Sequence, residues 1–176
     1  MKLLKFNAEM IDAILAGKKT QTRRPVTGFD VFEPYESGFW RVHGPSLRDC
    51  YDEETNHMIS AGTCERLVVV EKHLDHYCPY GKSGDFINFH DAEGHPIGEI
   101  FLRHIRVERL QDINETNAKA EGVNGGCCTC GNPQPCRCDS PNPLYAESFY
   151  WQWVDIYGMN HWNNNPWVWV IEFKRV

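Results

Sequence analysis

The chain has 176 residues, of which 41% are apolar and 12% aromatic, and it carries a formal charge of −6 at pH 7. This length and apolar fraction suffice for one buried core, so the composition predicts a single domain over residues 1–176 that carries large insertions. An acidic chain lacks the excess of cations with which strongly basic proteins bind any nucleic acid. We therefore expect any nucleic-acid contact to be local.

The hydrophobic runs of the sequence are too short to span a membrane, so we expect no membrane partner. No run approaches the roughly 20 consecutive apolar residues that a membrane-spanning helix needs. The opening segment, MKLLKFNAEM, ends its apolar run too early for a secretory signal. We expect a cytoplasmic protein.

The first 63 residues predict a strand, a short helix and an insertion. Residues 3–6 are a short apolar run, Asn7 is a typical helix cap, and Gly17 is a typical helix stop. Residues 27–63 are rich in Gly, Pro and acidic residues and predict a partly ordered insertion, in which FWRVH has the pattern of a strand. The predicted helix places four apolar residues at helical spacing: Met10, Ile11, Ile14 and Leu15.

Several later segments have the composition of β-strands. RLVVVEK is dense in β-branched residues, and GDFINFHD and GEIFLRHIRVERL follow it with turn signals before each. Because the three segments are consecutive, they predict an antiparallel sheet or barrel wall. The last segment, NPWVWVIEFKRV, is apolar on both faces in its first half, which predicts a central strand rather than an edge strand.

Two more helices are predicted in the second half of the chain. Asp112 followed by Glu115 is a capping-box pattern, which opens a short helix that runs to Ala120 or Glu121 and ends at Gly122. The segment PLYAESFYWQWVDIYG predicts a longer helix that stops at its last glycine and places four apolar residues near one face: Leu144, Phe149, Trp153 and Ile156. Together the elements predict an α+β fold.

The segment KKTQTRR, residues 18–24, places four basic residues and two threonines in seven positions. A strand would send Lys19 and Thr22 to opposite faces, whereas a turn would bring them together, so a functional role requires a turn here. A threonine hydroxyl needs a base to become a nucleophile, and a lysine is that base only if burial or neighbouring cations lower its pKa. The alternatives are a solvated basic loop or a binding or catalytic edge.

The clustering of the cysteines favours a metal site over disulfides. Five of the eight cysteines lie within residues 127–138, as a CxxC pattern followed by CxC. Four thiolates can close around one zinc ion, and such a closed site is structural rather than catalytic. The alternative is a redox-sensitive or locally disulfide-bonded loop. No organic cofactor is expected. The candidate zinc ligands are Cys127, Cys128, Cys130, Cys136 and Cys138.

Other polar and aromatic groups favour structural roles. His73, His76 and Cys78 form a second candidate metal cluster, but their position at a strand end favours ordinary turn histidines. YGKSGD contains the GKS of a phosphate loop, yet His76 stands where that motif needs its first glycine, which excludes a nucleoside triphosphatase. Most tryptophans are expected in the core, and Tyr80 is the aromatic residue that we expect to line a cleft.

Four segments resemble the ASCH family of small PUA-like domains: ILAGKKTQTRR, CPYGKSGD, LQDINETNAKAEGV and NPWVWVIEF. They occur in the family's order and span nearly the whole chain. FYWQWVDIYG is similar to a segment of the long ASCH proteins from bacteriophages and prophages. The resemblance implies a PUA-like β-barrel flanked by short helices, with a cleft for a nucleobase or RNA, in a bacterial or phage-infected cell. Residues 27–63 and 124–142, the second with the cysteine-rich loop, are then insertions.

One branch of the family hydrolyses N(4)-acetylcytidine to cytidine and acetate. The match carries its catalytic set onto Lys19, Thr22 and Glu121. Thr22 would attack the acyl carbonyl, Lys19 would take its proton, and Glu121 would orient Lys19 or handle the leaving amine. Alternatively, protonated Lys19 polarises the carbonyl and Glu121 activates water. The residues expected to bind the substrate are Lys18, Arg23, Arg24 and Tyr80.

The resemblance thus implies an amidohydrolase that acts on an acylated cytidine or a similar modified nucleoside. The rival function is a non-catalytic RNA-binding or regulatory module of phage origin that uses the same cleft. A zinc-stapled protein-interaction domain is a third alternative, and it would have no affinity for nucleic acid.

Overall fold

The computed structural model of the chain describes residues 2–28, 31–43, 50–52, 57–59, 67–127 and 143–176. These residues form an α+β fold with short helices. The chain divides into two compact units, of which the first comprises residues 1–25 and 78–176 and the second comprises residues 26–77. Among the helices of the described residues, none is long and apolar enough to cross a membrane.

The described strands are β1 (Leu4–Lys5), β2 (Gln21–Pro25), β3 (Val31–Glu36), β4 (Phe39–His43), β5 (Cys50–Asp52), β6 (His57–Ile59), β7 (Leu67–Val70), β8 (Phe86–His90), β9 (Pro96–Arg109), β10 (Gly126–Cys127), β11 (Pro143–Leu144) and β12 (Trp167–Arg175). The described α-helices are α1 (Ala8–Leu15), α2 (Glu115–Ala120), α3 (Tyr145–Tyr157) and α4 (Met159–Asn163). Two 3-10 helices span Glu71–Tyr77 and Leu110–Asp112.

The first unit is built on a curled five-stranded sheet that forms half a barrel. Its strand order is β1-β8-β9-β12-β2, in which β1 is parallel to β8 and the other neighbouring pairs are antiparallel. Strand β12 lies between β9 and β2, so the prediction of a central C-terminal strand is confirmed. Residues 168–171 of β12 are all buried, as expected of a strand that is covered on both faces.

The second unit contains a three-stranded sheet of order β3-β4-β7 and a two-stranded sheet of β5 and β6. The prediction of a strand at FWRVH is confirmed by β4. RLVVVEK forms β7, but β7 pairs with β4, so the expectation that it opens the sheet of β8 and β9 is wrong. Its β-branched residues alternate between exposed Val68 and buried Val69, and this pattern specifies a strand without specifying its partner.

Helices α2 and α3 cover one face of the five-stranded sheet. They pack onto β12 through one buried cluster, formed by Leu110, Ala118, Phe149, Trp153, Val168 and Val170. On the opposite face, the ring of Phe6 lies 6.2 Å from the rings of both Phe89 and Phe173, measured between centroids. Apolar residues on both sides therefore fix the sheet between two layers.

Helix α1 begins and ends as its sequence predicts. The side chain of Asn7 accepts a hydrogen bond from Met10 N at 2.9 Å, which caps the first turn. Gly17 follows the helix with φ of +71°, a conformation that glycine adopts without strain.

Helix α2 begins at a different cap from the predicted one. The side chain of Asn114 accepts a hydrogen bond from Asn117 N at 2.9 Å, so Asn114 is the N-cap and the prediction of Asp112 is wrong. Asp112 ends the preceding 3-10 helix and Ile113 is extended, so the α-helix starts two residues later than the pattern suggested.

Glu115 caps the next helix instead of closing a capping box. Its two carboxylate oxygens accept hydrogen bonds from Tyr145 N at 2.6 Å and from Ala146 N at 3.2 Å, at the first turn of α3. Leu144, which the pattern placed in this helix, belongs to β11. Because Leu144 at the N-cap makes no side-chain capping bond, the long-range contact with Glu115 satisfies amides that the local sequence leaves open.

The buried face of α3 is predicted correctly in its middle and wrongly at its end. Phe149 and Trp153 are buried, but Ile156 is 47% exposed. In the last turn Tyr157 faces inward instead, because its ring packs 4.4 Å from that of Trp153 and 5.4 Å from that of His161 on α4. The predicted stop at Gly158 is confirmed.

We expect Glu115→Ala to lower the free energy of unfolding by about 1 kcal/mol, the usual loss for a helix cap. Glu147→Ala, which removes an exposed carboxylate from the first turn of the same helix, is the matched control. Urea denaturation followed by circular dichroism measures both. Equal losses for the two variants would contradict a capping role for Glu115.

Candidate functional site

A turn joins helix α1 to strand β2 and carries Lys19 into the interior. The amides of Lys18 and Lys19 donate to the carbonyl oxygen of Ala13 at 2.9 and 3.0 Å. The amide of Thr20 then donates to the carbonyl oxygen of Ala120 at 2.9 Å, which ties the turn to helix α2. This turn ends before β2, so it contains Lys19 but not Thr22, which lies within the strand.

A buried ion-pair network centres on Glu121, directly after helix α2. Lys19 Nζ donates to Glu121 Oε2 at 3.0 Å and to the carbonyl oxygen of Glu121 at 2.6 Å. Arg23 Nη1 donates to Glu121 Oε1 at 3.1 Å, so the carboxylate lies between two cations. Lys19, Arg23 and Glu121 are only 2%, 1% and 3% exposed. Burial of charges is costly, and their mutual pairing offsets that cost.

The network continues across the sheet through residues that the sequence reasoning missed. Arg23 Nη2 donates to Glu108 Oε2 at 2.9 Å, and Arg106 Nε donates to Glu108 Oε1 at 2.5 Å. Arg106 also pairs with Glu172 on β12. Desolvation acts to lower the pKa of Arg106, but its bonds to the two carboxylates raise it overall. In the sequence, the alternating charges of RVER in β9 were the pattern from which this row of ion pairs could have been predicted.

Strand register sends the Thr22 side chain away from that of Arg23. Arg23 pairs with Val170 and Thr22 with Ile171, and alternate residues of a strand face opposite sides of the sheet. Thr22 is 1% exposed, and its hydroxyl has no hydrogen-bond partner among the residues that the structure describes. The structure thus brings Lys19 and Glu121 into contact. The hydroxyl of Thr22, close to Lys19 in sequence, makes no hydrogen bond with a described residue.

Burial lowers the pKa of the Lys19 amine below its ordinary value of 10.5, since loss of water disfavours the charged form. The carboxylate of Glu121 acts in the opposite direction, and the charges of Arg24 and Arg23 reinforce the lowering. The direction of this shift increases the fraction of neutral amine, which is the form that can accept a proton.

The other predicted binding residues lie in different environments. Arg24 Nη2 donates to the carbonyl oxygen of Lys5 at 2.6 Å, and its guanidinium lies 5.1 Å from the ring centre of Phe6. Tyr80 is partly buried, and burial raises the pKa of its hydroxyl while the nearby charge of Arg24 lowers it. Lys18 is exposed and lines the cavity described next. Arg24 and Tyr80 therefore share one neighbourhood.

A cavity of about 510 Å³ lies between α1, the end of α2 and α3. Gly122 lines it with φ of +81°, and an added Cβ there would lie 2.6 Å from Lys19 Cβ. Only glycine allows the backbone to approach the buried Lys19 stem this closely. Neither Lys19 nor Thr22 lines this cavity. Its polar lining residues are Glu9, Asp12, Lys18, Glu121, Asn124, Ser148 and Gln152.

The predicted zinc ligands lie largely outside the described residues. Cys127 is buried in strand β10, which pairs with β11. The other four candidate ligands, Cys128, Cys130, Cys136 and Cys138, lie outside the part of the chain that the structure describes. The zinc site stays a prediction.

Two further groups of potential metal ligands lie in a short helix and in a turn. His73 and His76 lie in the 3-10 helix Glu71–Tyr77, with ring centroids 5.5 Å apart. Within the described residues, the group of metal-type side chains that converges is Asp91, Glu93 and His95, in the turn between β8 and β9. The carboxylate of Asp91 accepts hydrogen bonds from the amides of Gly94 and His95, both at 2.7 Å. These bonds are typical of an Asp-stabilised turn, which explains why the three side chains converge.

Comparison with known proteins adds no relative: no protein-family model, curated protein or solved structure matches the chain. The function is therefore proposed from the sequence resemblance and the geometry of the site.

We expect Glu121→Gln to lower the free energy of unfolding by about 3 to 5 kcal/mol, because it leaves two buried cations without their shared carboxylate. Glu33→Gln is the matched control, since Glu33 pairs with Arg41 at 3.1 Å while its side chain is 50% exposed. The control should lose less than about 1 kcal/mol. Chemical denaturation of both variants measures the difference, and similar losses would contradict a central role for Glu121.

Proposed function

We propose that the chain is an ASCH-type, PUA-like nucleobase-binding domain that hydrolyses the amide of an N(4)-acylated cytidine or a similar modified nucleoside. The observation that carries this proposal is the buried Lys19 amine, held 3.0 Å from the carboxylate of Glu121. The curled sheet with short helices is compatible with a PUA-like barrel. These two features support the resemblance in GKKTQTRR, which supplies the chemistry.

The hydrogen bonds of Lys19 suit a neutral amine that acts as a base. A neutral amine has two N–H groups and one lone pair. The two acceptors of Lys19, both on Glu121, use the two N–H groups and leave the lone pair for a proton. Burial lowers the pKa of Lys19, which favours this neutral form.

Thr22 is the proposed nucleophile. Its Oγ1 attacks the acyl carbonyl as Lys19 takes the hydroxyl proton, and the C–N bond then breaks while Lys19 returns that proton to the leaving amine of cytidine. Water cleaves the resulting ester at Thr22 Oγ1 and releases the carboxylic acid. The uncommitted hydroxyl of Thr22 supports this role, because no protein partner competes for it among the described residues.

Glu121 is better suited to positioning Lys19 than to activating water. Its Oε2 accepts from Lys19 and its Oε1 accepts from Arg23, so both carboxylate oxygens already hold hydrogen bonds from protein donors. The scheme in which Glu121 activates water is therefore the less favoured one. Arg23 is engaged in the same pair and in a second pair with Glu108, so it acts on the site through its charge.

Substrate contacts are proposed for the exposed and partly exposed residues of the basic segment. Lys18 is exposed and Arg24 is partly exposed, so both can meet a phosphate or ribose group. Tyr80, which lies within reach of the charge of Arg24, offers an aromatic ring for stacking on a base.

The test is release of cytidine from N(4)-acetylcytidine by the purified chain. We expect Lys19→Met and Thr22→Val to lower kcat by at least about a hundredfold, the usual contribution of a base or nucleophile. Thr22→Ser, which keeps a hydroxyl, and Lys72→Met, which removes an exposed lysine from the second unit, should retain turnover. The kcat/KM of the wild type should rise with pH through the lowered pKa of Lys19, because the neutral amine is the reactive form.

A second candidate, a non-catalytic RNA-binding module, is favoured by the burial of the same residues. Lys19 and Thr22 are 2% and 1% exposed, whereas a reacting carbonyl must reach both. Turnover that is absent in the wild type, together with RNA binding that weakens steeply as salt rises, would support this module and contradict the hydrolase.

We also propose that the cysteine-rich loop binds one structural zinc ion through its CxxC and CxC patterns. Metal analysis of the purified chain should give close to one zinc per chain. The double variant Cys136→Ser, Cys138→Ser should lose it, because the three candidate thiolates that remain are too few for a closed site of four, whereas Cys64→Ser, outside the cluster, should keep it. Zinc retained by the double variant would refute the site.

A further inference from the structure

A second cavity, of about 190 Å³, lies where strands β2, β9 and β12 meet helix α2. We name it the Gln21 cavity after the residue that lines it from the edge strand. Gln21 lies on the same sheet face as Arg23 and on the opposite face from Thr22. The polar residues that line the Gln21 cavity are Thr20, Gln21, Arg103, Thr116, Asn117 and Glu172.

Gln21 carries a buried donor that lacks an acceptor. The residue is 2% exposed, and its Nε2 has no hydrogen-bond partner among the described residues. Buried amide groups in folded proteins almost always have a partner, because an unpaired one loses its bonds to water without compensation. An acceptor atom of a ligand in the cavity would supply the missing partner.

Arg103 brings a positive charge that no carboxylate compensates. It is exposed on β9 and makes no ion pair or hydrogen bond with another described residue. The neighbouring carboxylates already have cations: Glu121 pairs with Lys19 and Arg23, Glu108 with Arg23 and Arg106, and Glu172 with Arg106. Arg103 is therefore a surplus cation beside a polar cavity, on a chain whose formal charge is −6.

We propose that the Gln21 cavity binds a small oxyanion of the phosphate class. The donors are the guanidinium of Arg103, Nε2 of Gln21, the hydroxyls of Thr20 and Thr116 and the side-chain amide of Asn117. These donors exceed the roughly four lone-pair sites of a carboxylate, and they suit the larger number of acceptor sites on a phosphate. Glu172 does not oppose the anion strongly, because Arg106 neutralises it.

The proposed phosphate site does not depend on the proposed hydrolase activity. Gln21 and Glu172, which pair across β2 and β12, lie on the sheet face opposite to Thr22, and none of the residues that line the cavity takes part in the proposed steps. Loss of phosphate binding and loss of cytidine release can therefore be separated by experiment.

The test is isothermal titration calorimetry of the full chain with sodium phosphate, at constant ionic strength in a chloride buffer. The variants are Arg103→Gln, which removes an exposed cation, and Gln21→Met, which removes the buried donor with little change in shape. Lys72→Gln removes one exposed charge from the second unit and is the matched control. Sodium acetate and cytidine 5′-monophosphate are titrated separately.

We expect saturable phosphate binding by the wild type and by Lys72→Gln, with Kd at least about tenfold higher for Arg103→Gln and Gln21→Met. Gln21→Met should keep or raise its thermal midpoint without phosphate, because it removes an unpaired buried amide, so its lost binding is not lost folding. Binding of the monophosphate that is tighter than that of phosphate, and that Arg103→Gln and Gln21→Met both weaken, would support the site and indicate a phosphate ester as the natural ligand. No saturable heat, an unchanged Kd in both variants, or acetate binding as tight as phosphate would overturn the proposal.

Discussion

The carboxylate of Glu121 joins three parts of the chain that are distant in sequence. Through Lys19 it holds the turn after α1, through Arg23 it holds strand β2, and by its own position it fixes the end of α2. All three side chains are buried, and removal of Glu121 would leave both Lys19 and Arg23 without the carboxylate that they share. Gly122 belongs to the same constraint, because its backbone touches the Lys19 stem where a Cβ would not fit.

A purely structural ion pair would keep Lys19 charged, and several features of the site oppose that. Burial and the charges of Arg23 and Arg24 lower the pKa of Lys19, while Glu121 shares its carboxylate with Arg23 instead of serving Lys19 alone. Desolvation and the two guanidinium charges therefore favour the neutral amine, whereas the Glu121 carboxylate favours the ammonium. Natural cores rarely keep such a lysine, and perturbed pKa values of this kind concentrate at functional sites.

Local patterns predicted the elements better than they predicted their partners. Asn7 and Gly17 act within one turn of the chain, and their roles as cap and stop followed from the sequence. The start of α2 and the partner of β7 did not, because a 3-10 turn and a choice between two sheets depend on tertiary contacts. Family resemblance pointed to Lys19 and Glu121, which lie 3.0 Å apart, but the second cation on Glu121 and the unpaired Gln21 depend on strand register.

A direct titration of the Lys19 amine shows whether it is available as a base. Nuclear magnetic resonance of chain labelled at lysine Cε, with the Lys19 signal assigned by its absence in Lys19→Arg, follows the protonation of each amine with pH. We expect a Lys19 midpoint clearly below 10.5 and below those of the exposed lysines. A midpoint at or above 10.5 would mean that Glu121 keeps Lys19 charged and that the amine is not available as a base.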